Sequence, residues 1–359
     1  MSVVEKLLAE EPFSLSHEEK KQLYEKELGN LTKNSYASCG LYKKILDILV
    51  YDASAEHKIE EFPFLPVRLF KEYDLLNVPR EAVVKTMTSS GTTGQRVSKI
   101  YLDRTTSTNQ TKVLTKICSE FLGNKRRPML IIDSKSVLKD RNMFSARGAG
   151  IIGFSMLGRG ATYALDEDLH LDLDAVNAFL GKYAGEPIML FGFTSIIWEH
   201  FFKELERVDT KLPLDGAVVI HGGGWKKLID QQVDNEIFKK SLASRCGDIT
   251  VLNYYGMVEQ TGSIFMECEC GRLHASNYSD VIIRNPDDFS VCGVGEPGIV
   301  QLVSLLPESY PGHSILTEDI GELIGEDDCP CGRHGKTFVI HGRIKNAEIR
   351  GCSDTYERK

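Results

Sequence analysis

The sequence predicts an α/β fold on three observations. Short apolar runs are bounded by Gly, Asp or Pro, helical stretches lie between several of them, and no internal repeat, low-complexity tract or long linker interrupts the pattern. The runs Met129–Ile132, Pro187–Phe191, Ala217–Ile220, Ile249–Leu252 and Ile299–Val303 have the length and composition of buried strands. Between two of them, Ser195–Leu205 sets Ile196, Ile197, His200 and Phe201 on overlapping faces, as a helix lying on a sheet does. At the start of the chain, Ser16 with Glu19 meets the capping-box pattern, and the Lys/Glu-rich stretch after it predicts a solvent-facing helix that stops at Gly29. From about Asp287 the chain is richer in Gly, Pro and Cys, which predicts small sheets, tight turns and a change of subdomain.

With 359 residues, 42% of them hydrophobic, the chain is long enough for one large domain or two ordinary ones. No apolar run approaches the roughly 20 residues of a membrane span. Met1–Glu11 carries acidic residues and no basic segment ahead of an apolar one, so no secretory signal is read and a cytoplasmic location is expected. A net charge of −8 repels a phosphate backbone on average, which disfavours non-specific nucleic-acid binding. Nine cysteines in a reducing compartment are metal ligands, catalytic thiols or small buried residues before they are disulfides.

The segment Thr88-Ser89-Ser90-Gly91-Thr92-Thr93-Gly94 follows the extended-looking Ala82–Met87. Its glycines let successive backbone N–H groups converge on an anion, and its hydroxyls add uncharged donors, so the loop suits a triphosphate. It is not a Walker A loop, since no G-x-x-x-x-G-K-[ST] occurs. Composition alone describes a surface turn equally well. Four more clusters follow in order. His221-Gly222-Gly223-Gly224-Trp225-Lys226-Lys227 ends one predicted strand and Asn253-Tyr254-Tyr255-Gly256-Met257-Val258-Glu259 ends another, while Leu316-Thr317-Glu318-Asp319-Ile320-Gly321 and Gly342-Arg343 come later. H-G-G-G is also an oxyanion-hole string of some lipases and esterases, but no G-x-S-x-G follows His221, and Gly153-Phe154-Ser155 lies before it and lacks the final glycine.

Taken together, these clusters resemble the signatures of the adenylate-forming superfamily, in order over more than 250 residues. The resemblance implies an adenylate-forming core of mixed sheets flanked by helices, with ATP and Mg²⁺ bound. Residues 1–340 would form that core, including a Cys-rich β subdomain from about 265, and 341–359 a shortened tail in place of the full C-terminal domain. It implies that Ser89, Ser90, Gly91, Thr92, Thr93 and Gly94 cradle phosphates and that a following cation assists them. Lys99 and Arg96 share that candidacy. By the same resemblance His221, Gly222, Gly223 and Gly224 lie along the adenine, Tyr255 with Gly256 stacks on it, and Glu259 binds Mg²⁺. Asp319 accepts from the ribose hydroxyls and Arg343 meets the nucleotide. A flat ring for stacking and a carboxylate for a hard cation are chemically apt.

Within the superfamily, Phe62-Pro63-Phe64-Leu65-Pro66-Val67-Arg68-Leu69-Phe70-Lys71, Phe191-Gly192-Phe193-Thr194, the HGGGWKKL string from His221 and Glu348-Ile349-Arg350-Gly351-Cys352-Ser353 resemble LuxE-type acyl-protein synthetases, relatives of phenylacetate-CoA ligases. That family activates a fatty acid with ATP, moves the acyl group to a cysteine near its C-terminus and delivers it to a partner acyl reductase. The resemblance makes Cys352 the acceptor thiol, with Arg350 beside it and Lys345 near it as cations that favour thiolate. A chain ending at Lys359, without a further domain of roughly a hundred residues, points the same way. The alternatives are a CoA ligase of the phenylacetate type and a non-catalytic nucleotide-binding relative.

Two copies of C-x-C-G-R, Cys268-Glu269-Cys270-Gly271-Arg272 and Cys329-Pro330-Cys331-Gly332-Arg333, offer four thiolates for a structural zinc ion. A Cys₃His set, with His274 or His334 replacing one sulfur, remains open. Phe191, Phe193 and Trp198 are candidates for an acyl pocket, although aromatic residues at such spacing more often belong to the core, and His200 reads as a core or pocket-wall residue.

Overall fold

The computed structural model describes residues 2–89, 96–138, 146–225 and 232–344. They fall into two compact units: residues 2–89, 96–117 and 256–344 form one, and 118–138, 146–225 and 232–255 the other.

In the first unit a short helix, Val3–Leu7, precedes the helix His17–Ser38, whose start is fixed by the Glu19 carboxylate accepting from the Ser16 backbone N–H (3.0 Å) and hydroxyl (2.6 Å). The helix runs nine residues beyond the stop expected at Gly29, and it is not solvent-facing all round. Lys20, Tyr24, Leu28, Thr32 and Ser35 form a buried stripe at helical spacing. Most of that stripe is polar, so hydropathy does not reveal it. Each polar group meets a partner instead: Tyr24 donates to the Asn277 carbonyl, Thr32 faces His313 and Ser35 accepts from Asn77. Those contacts and Leu28 carry the helix past a glycine that costs about 1 kcal/mol in a helix interior.

Short strands follow: β1 (Leu65–Pro66), then the antiparallel pair β2 (Lys85–Thr88) and β3 (Lys99–Leu102), in which Thr88 faces Lys99. The helix Arg104–Leu122 leads into the second unit.

That unit is the predicted alternating architecture. Strands β4 (Arg127–Ser134), β5 (Gly158–Leu165), β6 (Met189–Phe193), β7 (Val218–Gly222) and β8 (Thr250–Tyr255) form a parallel sheet in the order β8–β7–β6–β4–β5. The four apolar runs expected here lie in β4, β6, β7 and β8. Register places Leu130, Leu190, Val219 and Val251 in one row across the sheet. That row packs with Val176 and Phe179 of the helix Leu173–Lys182 and with Phe238 and Leu242 of the helix Asn235–Cys246. Near-continuous burial along the central strands β4, β6 and β7 matches a parallel sheet covered on both faces. The expected helix at Ser195–Leu205 forms, with a π-helical segment at Ile197–Phe202 between α-helical Thr194–Ile196 and Lys203–Arg207.

The chain returns to the first unit at Gly256. Strands β9 (Phe265–Glu267), β10 (Leu273–His274), β11 (Ser279–Arg284), β12 (Pro297–Ser304), β13 (Ser314–Glu326) and β14 (Lys336–Arg343) pair antiparallel in the order β11–β12–β13–β14–β10–β9, with β1 added parallel to β13. The run Ile299–Val303 is the centre of β12. Among the described residues no helix is long and apolar enough to cross a membrane.

Candidate nucleotide and acyl-activation site

In the α/β unit the site residues lie at the carboxyl ends of parallel strands, where open α/β sheets bind ligands. His221 and Gly222 end β7 and face Asn253 and Tyr254 of β8. The His221 ring is buried, its Nδ1 lies 2.9 Å from the Thr194 hydroxyl, and that hydroxyl also lies 3.2 Å from the Gly222 carbonyl oxygen. A hydroxyl proton given to the carbonyl leaves Nδ1–H as the donor to Thr194. Burial pushes the His221 imidazole down to about 3, so it stays neutral, packed against Phe238. Its ring therefore serves the core, and contact with a ligand from this position falls to backbone.

Gly222 and Gly223 are needed as glycines. A Cβ on Gly222 would stand 2.5 Å from the Tyr254 ring, and Gly223 has φ +77 with Phe193 only 2.9 Å from where a Cβ would be. Gly224 has nothing within 4 Å of its Cβ position, and both it and Gly223 are exposed, leaving an open backbone surface for a flat ligand. Tyr254 packs on Phe154 and Phe191, whereas Tyr255, the next residue along the strand, projects to the opposite face. Phe191 and Phe193 belong to this aromatic group, and Trp198 stacks in the core with Phe202 and Phe238. His200 is partly buried in the π-helical segment, and burial lowers its pKa.

In the other unit, β2 and β3 present the ends of the Ser/Thr/Gly loop. The Ser89 N–H donates to the Ser98 carbonyl (3.2 Å), and the Ser98 N–H donates to the Ser89 hydroxyl (2.9 Å). Ser90, Gly91, Thr92, Thr93 and Gly94 lie outside the described residues, as does Cys352. Of the two candidate cations, Arg96 is ion-paired with Glu72, and Lys99 opens β3 with an exposed side chain.

Glu259 sits buried in the 3-10 turn Val258–Gln260. Burial raises its carboxyl above the ordinary value, opposed by the Ser98 hydroxyl and the Lys71 and Arg343 charges. Three residues that sequence reading missed hold this turn. Tyr310 donates to the Glu259 carbonyl (2.8 Å), Gln110 donates to the Tyr310 hydroxyl (3.4 Å), and Gln260 donates to the carbonyls of Leu302 and Gly312. Isolated polar residues in unremarkable strings give no signal in sequence. Asp319 and Arg343 are cross-strand partners on β13 and β14, 3.6 Å apart from carboxylate to guanidinium, and the Asp319 N–H is held by Thr317. A carboxylate and a cation thus stand side by side on adjacent strands.

The four C-x-C-G-R thiols do not all converge. Cys268, His274, Cys329 and Cys331 have their ligand atoms within 4.8 Å of one another, while Cys270 is exposed and outside the group. Cys270 sits at the tip of the Cys268–Arg272 turn with only its N–H directed inward, to Cys268 Sγ at 3.3 Å. His334 is exposed and its Nδ1 lies 3.4 Å from Asp327.

The family model for acyl-protein synthetase, LuxE, matches residues 1–359. The chain belongs to the LuxE family. Its relatives include long-chain-fatty-acid–luciferin-component ligases of Aliivibrio fischeri (24% identical, 83% of this chain and 78% of that one) and Vibrio harveyi (23%, 95% and 89%). A phenylacetate-coenzyme A ligase of Thermus thermophilus is 24% identical over 94% of this chain and 73% of its own length. A solved 2-hydroxyisobutyryl-CoA ligase in complex with an acyl-AMP shares the fold, with TM-score 0.66, 13% identity and coverage of 93% and 69%. This LuxE-family chain is accordingly an acid ligase with an adenylate-forming fold, and acid activation through an acyl adenylate is its chemistry.

Proposed function

We propose that this LuxE-family chain uses MgATP to activate a long-chain carboxylic acid and then passes the acyl group to its own Cys352, for delivery to a partner acyl reductase in the cytoplasm. The substrate carboxylate attacks the α-phosphate of ATP, an oxygen–phosphorus bond forms and pyrophosphate leaves. No protein base is needed, because the nucleophile is already an anion. Positioning and charge compensation lower the barrier. The hydroxyls and N–H groups of 88–94, with Lys99, would hold the phosphates, Tyr255 and the backbone of 222–224 the adenine, and Asp319 and Arg343 the ribose side. The buried carboxylate of Glu259 is the hard oxygen donor that Mg²⁺ prefers, and Mg²⁺ when bound would neutralise charge on the phosphate oxygens. In the second step the Cys352 thiolate attacks the acyl carbonyl, a thioester forms and AMP leaves. A structural zinc ion belongs to the same reading.

Family membership over the whole chain, together with the ordered nucleotide residues, carries this proposal. The test is incubation with ATP and a radiolabelled fatty acid. A hydroxylamine-sensitive protein label is expected, lost in Cys352→Ser while acid-dependent pyrophosphate release persists. Equal labelling of Cys352→Ser overturns the acceptor assignment. The likeness to a phenylacetate-coenzyme A ligase supports a second reading, and release of acyl-CoA on adding coenzyme A, with no protein label, would decide for it.

A further inference from the structure

We infer that Cys268, His274, Cys329 and Cys331 bind one zinc ion, as a Cys₃His site that clamps the β9–β10 turn to the β13–β14 turn. The argument begins with the turns. Each C-x-C-G-R copy folds the same way: the glycine N–H donates to the carbonyl of the first cysteine, at 2.9 Å from Gly271 to Cys268 and 3.0 Å from Gly332 to Cys329. Gly271 and Gly332 both take left-handed conformations, with φ +73 and +80. In each turn the N–H of the third residue points at the sulfur of the first, Cys270 at Cys268 and Cys331 at Cys329. Backbone N–H groups aimed at sulfur stabilise a thiolate ligand.

Distances then discriminate. With Zn–S near about 2.3 Å and Zn–N near about 2.0 Å, a tetrahedron has S···S edges of about 3.8 Å and S···N edges of about 3.5 Å. Cys268 Sγ and Cys329 Sγ are 3.8 Å apart, and Cys331 Sγ and His274 Nε2 are 3.4 Å apart. Two independent edges therefore match the geometry, and all four ligand atoms lie within 4.8 Å of one another. His274 comes from β10, where it pairs with Thr337 of β14 and its ring is set edge-on by Phe13. The first copy therefore contributes one thiol and the second copy two. His274 fills the fourth position, and Cys270 is left in solvent.

Charge is met as well. Three thiolates and Zn²⁺ leave one net negative charge, and the arginine of each copy braces the carboxylate beside the other. Arg333 Nη1 donates to Glu269 at 2.7 Å, and Arg272 Nη1 lies 3.7 Å from Asp328. Arg333 also hydrogen-bonds Cys331. All four coordination positions are taken by protein, so the ion is structural and activates no water.

Metal analysis of protein purified without a metal-affinity resin tests the site. One zinc per chain is expected in the wild type and in Cys270→Ser, and loss of zinc in Cys329→Ser. Because unfolding of Cys329→Ser would also release metal, His274→Cys supplies the second reading. Its cobalt-substituted form should show a red-shifted ligand-field band and stronger sulfur charge transfer than wild type, as a fourth thiolate joins, and Cys270→Ser should leave the wild-type spectrum unchanged. Metal-free wild type, a Cys268–Cys329 disulfide in peptide mapping, or loss of zinc in Cys270→Ser overturns the assignment. These readouts use no substrate, so they stand or fall apart from the acyl-transfer reading.

Discussion

Glu259, proposed above as the Mg²⁺ ligand, is held as a buried carboxyl at a cost in stability. A carboxyl whose folded-state pKa is raised by burial binds more protons folded than unfolded between the two values, so stability falls as pH rises through that interval and stays lower above it. Replacing it by an uncharged isostere removes that cost. We expect Glu259→Gln to be more thermostable than wild type at neutral pH, yet to lose on the order of 10²-fold in acid-dependent pyrophosphate release. A parallel loss of melting temperature and activity would show that the carboxylate is structural. The same sign gives the pH dependence: in the proposed role Mg²⁺ would compete with a proton at this oxygen, so the acid limb of nucleotide binding by the free enzyme should lie above the range of an ordinary glutamate. At this scale the sequence displayed Glu259, because it ends a recognisable string. It concealed Tyr310, Gln110 and Gln260, which position it, and it gave no sign that the His221 ring is buried against Phe238.

Among elements, the turn after β8 is tightly constrained. Gly262 has φ +91, and a Cβ there would stand 2.6 Å from the Gln110 carbonyl in the helix Arg104–Leu122. Gly262→Ala should therefore destabilise by on the order of 1–3 kcal/mol, from backbone strain and displacement of a helix. Because the turn carries Glu259, the apparent affinity for MgATP should weaken along with the melting temperature. Unchanged nucleotide titration in a destabilised Gly262→Ala would separate turn packing from the site. The helix His17–Ser38 teaches the complementary lesson. Its start was legible from the Ser16–Glu19 pattern, but its end was not, because the buried residues that extend it past Gly29, Thr32 and Ser35, are polar and find their partners 281 and 42 residues away in sequence.

At the level of the whole molecule, one such partnership ties the ends of the first unit together. Lys20 of the N-terminal helix lies 3.7 Å and Lys336 of β14 lies 3.1 Å from the Asp280 carboxylate of β11, and Asp280 is buried. Burial alone would raise the Asp280 pKa, but Lys336 and Lys20 overcome it and hold it below the ordinary value. Its contribution is thus complete above the usual carboxylate range and is lost as pH falls through the lowered value. Asp280→Asn leaves two ammonium groups buried without their counter-ion, and we expect a loss of about 3–5 kcal/mol in chemical denaturation. It should also flatten the acid side of the stability profile. A change within about 0.5 kcal/mol, as for ordinary surface substitutions, would mean that the lysines are neutral or hydrated.

The sequence by itself determined the α/β unit and the order of the nucleotide motifs. Parallel strands buried on both faces must be continuous apolar runs, and loops that meet phosphate must be rich in glycine and hydroxyls. Those are local requirements, so local text reveals them. Only the tertiary structure decided that the N-terminal helices join the C-terminal strands in one unit, that Asp319 and Arg343 are neighbours across β13 and β14, and that His274 stands where Cys270 was expected. Each of those depends on strand register or on polar pairs distant in sequence. A register shift of one residue turns a side chain to the other face without changing a letter of the sequence.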